Sequence, residues 1–183
     1  LVLICRLARE LGLGVSQFVW GSHFHDADRH AYVADLDWHN PADRKRMEEF
    51  FRAEAFLAPW VDRVITHWVD PGGPKLGCAQ CSIDTTVEIH NTILSLFRAH
   101  NPRIRGAFSN WMLNWMSEEW PASEEGWQPG RWRGYAGVRA LAGHPGLDRD
   151  SDIVIGRTNY TWGDGVAERH AVSRIRLSDL QAI

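Results

Sequence analysis

The strongest constraint in this sequence is the alternation of two hydrophobic periods along its length. Ile4, Leu7, Ala8 and Leu11 recur at helical spacing, and Gly12 and Gly14 end that run. Residues 15–20 then form a short apolar segment ending in Trp20, which reads as a buried strand. Asn40-Pro41 places a helix cap before a proline at the first helical position. Met47, Phe50, Phe51, Ala55 and Ala58 make the apolar face that follows, and Pro59 stops it. Residues 61–69 form a second strand, β-branched at Val64, Ile65 and Thr66.

A third unit repeats the scheme. Thr85-Thr86-Val87-Glu88 has capping-box spacing, and Ile89, Ile93, Leu96, Phe97 and His100 share one helical face. Asn101-Pro102 closes it before a strand over 106–113. A weaker helix is expected over 134–142, a fourth strand over 152–160, and the start of a last helix over 166–177. Connections from helix to strand are short. Those from strand to helix are long, at 21–40, 70–84 and 114–133.

Repeated strand–helix units imply a parallel sheet with right-handed crossovers. Long loops confined to the carboxyl ends of the strands are the habit of a (β/α)8 barrel. The expected fold is therefore α/β, a partial (β/α)8 barrel of about four parallel strands alternating with helices. A whole barrel takes about 250 residues, and this chain has 183. The expectation is one domain over 1–183, truncated at both ends, with the rest of the barrel outside this chain. A doubly wound sheet has less support, because no first strand–helix turn carries a glycine-rich phosphate loop.

Charge and composition narrow the partners. A net charge of −3 gives no electrostatic footprint for a nucleic-acid duplex. The longest apolar run is Leu1 to Cys5, far short of the ~20 residues of a membrane span. Three cysteines are too few for a disulfide framework. The single C-x2-C, Cys78 and Cys81, is read as a pair of loop cysteines before a helix, since no second pair follows at zinc-finger spacing. Ten tryptophans exceed what a core of this size requires, so part of them is expected to line a binding surface.

The chemistry-bearing residues gather at the strand ends. The first end carries Trp20, His23, His25 and Asp26, and the second His67, Trp68 and Asp70. The third carries Asn110 and Trp111, then Glu118 and Glu119, and the fourth Asn159, Trp162 and Asp164. An indole offers a flat apolar area with one donor, which suits the apolar face of a pyranose ring. Trp20, Trp68, Trp111 and Trp162 are therefore the stacking candidates. His23, His25, His67, Asn110 and Asn159 are candidates for the sugar hydroxyls.

Three short stretches carry a family likeness: Trp20-Gly21-Ser22-His23, residues 66–73, and Phe108-Ser109-Asn110-Trp111. In them, and in its architecture, the chain resembles the (β/α)8 glycoside hydrolases, whose active-site mouths combine tryptophan, asparagine, histidine and a carboxylate pair. The resemblance implies a hydrolase acting on carbohydrate, with no cofactor and no metal. No Asn-Glu or Asp-Glu doublet ends a strand, so the carboxylates are not carried over by motif. Asp70, rigidly placed before Pro71, is paired on residue type with Glu118 or Glu119, which lie between Trp115 and Trp120.

Two other readings stay open. His23-Phe24-His25 also resembles the H-x-H metal signature of the amidohydrolase barrels, since alternate residues of an extended segment share a side. In that family the motif closes the first strand, whereas here a helix precedes it. The other reading is a barrel that binds carbohydrate without cleaving it.

Overall fold

The computed structural model describes residues 1–21, 24–26, 31–33, 36–67, 79–109, 141, 143–155 and 173–176. In chain order the elements are α1 (Val2–Glu10), β1 (Ser16–Trp20), β2 (Phe24–Asp26), β3 (Ala31–Val33) and α2 (Pro41–Glu54). They continue with a 3-10 turn (Ala55–Trp60), β4 (Arg63–His67), α3 (Ala79–Arg98), β5 (Arg105–Ser109), β6 (Asp152–Ile155) and β7 (Ser173–Arg176).

The main sheet has the order β1-β4-β5-β6-β7. β1 pairs in parallel with β4, and β4 with β5, each step crossing over through a helix. β6 adds parallel to β5, and β7 then runs antiparallel to β6. β2 and β3 form a separate antiparallel pair.

The α/β class therefore stands, but the partial (β/α)8 barrel does not form. A barrel sheet closes on itself with every strand parallel. Among the described residues this sheet is open and mixed, with β1 at one edge and antiparallel β7 at the other. The decisive segment is 173–176, expected within a last helix and observed as strand. Ile175 is the one apolar residue of Ser173-Arg174-Ile175-Arg176, so no period is legible in the segment, and its pairing with β6 makes it a strand. An antiparallel neighbour needs no helical crossover, so β7 ends the progression of strand–helix units.

Helix α2 begins as its sequence indicates. The Asn40 side chain accepts hydrogen bonds from the Ala42 and Asp43 amides, and Pro41 holds the first helical position. The apolar face continues past Glu54 into the 3-10 turn, which contains Pro59. Helix α3 departs from the expectation. It starts at Ala79, so the Thr85–Glu88 box lies inside it and Cys81 is helical rather than in a loop. Thr85, instead of capping a helix, lies within hydrogen-bonding distance of His39 Nε2, 3.0 Å away. His100, assigned to the apolar face, is exposed beyond the helix end.

One face of the sheet carries the core. Val19, Val64 and Phe108 pack with Met47 and Phe51 of α2 and with Ile89, Ile93, Leu94 and Phe97 of α3. Asn101 fastens the end of this layer, its amide donating to the Ala58 and Val61 carbonyls. The loop before β6 is tied to α3 in turn. Arg98 grips both carboxylate oxygens of Asp148, and the Asn91 side chain donates to the Gly146 carbonyl.

Candidate functional site

The expected site lies at the carboxyl ends of the parallel strands, and the best-described part of it is the pair Trp20 and His67. Each is the last residue of its strand, and they are direct partners in the β1–β4 register. The Gly21 amide donates to the His67 carbonyl at 2.8 Å, which extends the ladder one step and fixes the two strand ends together.

In-register neighbours share a face, and alternate residues along a strand change face. Val19 therefore turns into the helix layer, fully buried, while Phe18 and Trp20 emerge on the opposite side at 53% and 39% exposure. The His67 ring lies between them. Its centroid is 4.9 Å from the Trp20 ring and 5.6 Å from the Phe18 ring, both in edge-on geometry. Edge-to-face contact of this kind orients an imidazole against an indole that is partly exposed. The result is a half-exposed aromatic surface with one hydrogen-bonding ring set into it.

Of the other candidates, His25 lies in β2, opposite Tyr32 of β3 in the register. His23, Trp68, Asp70, Asn110, Trp111, Glu118, Glu119, Asn159 and Trp162 fall outside the described residues. Trp20 and His67 are thus the candidates the structure brings together. Among the described residues no group of three His, Cys, Asp or Glu side chains could hold a metal ion. No described helix is long and apolar enough to cross a membrane.

A second polar cluster was not singled out in the sequence. His90 of α3 is fully buried, with Thr66 Oγ1 2.7 Å from Nδ1 and Ser151 Oγ 2.8 Å from Nε2. Its ring stacks on Phe108 at 3.9 Å between centroids. Burial pushes its pKa down from 6.5 to about 3; the Asp148 charge opposes that shift and the Arg98 charge adds to it. The imidazole is therefore neutral, with one nitrogen donating and the other accepting. Serine beside histidine suggests a nucleophile and its base, but Thr66, His90 and Ser151 are 0–2% exposed, so no substrate reaches them. The cluster is a clasp that joins α3 to β4 and to the start of β6. The only sequence signal for it is a histidine next to Ile89 on the apolar side of a helix.

Against known protein families, curated proteins and solved structures, this chain finds no match.

Proposed function

We propose that this chain is glycoside hydrolase-like and binds carbohydrate at the carboxyl ends of β1 and β4. The reading rests on one observation, the half-exposed indole of Trp20 set against His67 where two parallel strands end. Open α/β sheets bind their ligands beyond the carboxyl ends of the strands. A pyranose face stacks on the indole, and the imidazole set beside it takes a ring hydroxyl.

Asp70 follows His67 by three residues in the chain. In this reading it serves with Glu118 or Glu119 as the carboxyl pair. One group, as the acid, gives its proton to the glycosidic oxygen as the bond to the anomeric carbon breaks. The other acts as nucleophile or draws a proton from the attacking water, according to the spacing of the pair.

The test is a panel of oligosaccharides and aryl glycosides, read by tryptophan fluorescence and by release of reducing ends. Quenching with hydrolysis is expected, and Asp70→Asn should abolish the hydrolysis while leaving the quenching. Quenching without hydrolysis would make the chain a carbohydrate-binding module. No quenching and no hydrolysis across the panel would end the carbohydrate reading.

A further inference from the structure

Helix α1 is seated with its apolar side outward. Val2 packs against the core and Cys5 is buried, so both lie on the inward side. Arg9, one turn beyond Cys5, donates from Nη1 to the Pro59 carbonyl at 3.0 Å and lies 3.9 Å from the Asp62 carboxylate. These contacts hold the helix on the Ala55–Trp60 turn. At 3.6 residues per turn, Leu3, Ile4, Leu7 and Leu11 fall on the other side as one stripe. They are 76%, 70%, 53% and 68% exposed.

A surface helix ordinarily turns such a stripe toward the core. In α1 a charged anchor, Arg9, occupies the inward side instead, and the leucines are left facing water. The stripe exposes about 500 Å² of apolar surface, near the upper end of what a monomer carries in one patch. Set against a second copy, the two stripes bury about 1,000 Å², the area a specific interface has to reach.

The residues within and beside the stripe fit it to itself. Ile4, Leu7 and Leu11 keep the alternating three- and four-residue spacing of a two-helix seam. Arg6 and Glu10 are exposed and lie one turn apart on the same flank of the stripe. Neither makes an ion pair among the described residues. When two such helices lie antiparallel about a twofold axis near Leu7, like flanks meet with their directions reversed. Arg6 of each copy then comes within reach of Glu10 of the other. Parallel packing would set this flank against the uncharged flank that carries Ala8, with no opposite charge to meet.

We propose that the protein forms a twofold dimer through α1, the apolar stripe of each copy packed antiparallel on that of the other and closed along one flank by Arg6–Glu10 pairs. The dimer stands independently of the carbohydrate reading.

Sedimentation equilibrium of the full chain, up to about 500 µM, tests it. A monomer–dimer equilibrium that stops at two copies is expected. Leu7→Lys should weaken the dimer at least tenfold. Arg6→Glu, which reverses the charge facing Glu10, should weaken it severalfold, and Arg6→Glu combined with Glu10→Arg should restore it. Circular dichroism checks that α1 stays helical, and if Leu7→Lys disturbs the fold the exposed Arg6 and Glu10 variants decide. A monomer at every concentration overturns the proposal, as does association that grows past two copies. A charge swap that restores nothing overturns it too, because the antiparallel pairing is then wrong.

Discussion

The His90 ring occupies the space that a β-carbon on Gly106 would fill. A methyl built there would meet His90 Nε2 at 2.7 Å and Ser151 Oγ at 2.5 Å. The glycine is what lets helix α3 lay an imidazole flat against β5, stacked on Phe108, with both ring nitrogens satisfied.

Gly106→Ala should therefore destabilise the fold. The clash falls on groups locked by hydrogen bonds, so about 1–3 kcal/mol of overpacking cost is expected. Urea unfolding measures it. A variant as stable as the parent would show that the clasp gives way freely.

His90 should make the protein acid-sensitive. Its folded pKa is about 3 and its ordinary value 6.5, so between these values the unfolded chain binds more protons. The contribution is fully present above about pH 6.5 and declines as pH falls toward about 3, at up to ~1.4 kcal/mol per pH unit. Thermal unfolding followed across that range should show a shallower acid limb in His90→Gln than in the parent. Identical slopes would mean that the clasp does not stay neutral.

Asp148 gives a second acid-dependent contact. Burial alone would raise its pKa, but the hydrogen bonds and charge of Arg98 outweigh that and hold it below the ordinary value. Its contribution is present above the unfolded carboxylate pKa and is lost as pH falls through the lower, folded value. Asp148→Asn should cost ~1 kcal/mol near neutral pH, because the ion pair is partly solvated. The same urea titration reads it, and a loss of similar size at pH 2 would count against the ion pair as cause.

Helix α1, packed on the Ala55–Trp60 turn, presents Leu3, Ile4, Leu7 and Leu11 to solvent. An exposed apolar helix face favours association. Leu3→Lys combined with Leu11→Lys should reduce concentration-dependent self-association in sedimentation experiments. Stability should change by no more than about 0.5 kcal/mol, since neither side chain is buried.

Much of the local structure was legible from the chain. Asn40-Pro41 announced α2 because a cap and its proline act within four residues. The segment 61–69, β-branched at Val64, Ile65 and Thr66, announced β4, and the segment ending at Trp20 announced β1. Less legible were the ends of α3, where six residues before the Thr85 box are also helical, and the β2–β3 pair, which fell in an expected loop. A capping box marks a possible start, but burial of Ile83, Thr85 and Thr86 favours helix on both sides of it.

The sequence by itself determined the helical and extended segments around the core, and with them the α/β class, because periodicity records which side of an element is buried. It also placed Trp20 at the end of one strand and His67 near the end of another. Only the tertiary structure decided that these two residues are register partners, since pairing depends on which strands become neighbours. It also decided that β7 runs antiparallel to β6. A four-residue segment with one apolar position fits a strand in either direction, and the hydrogen bonds to β6 choose between them. The same holds for His90: its helix position is written in the chain, but the Thr66, Gly106 and Ser151 that make it a neutral clasp come from three other segments.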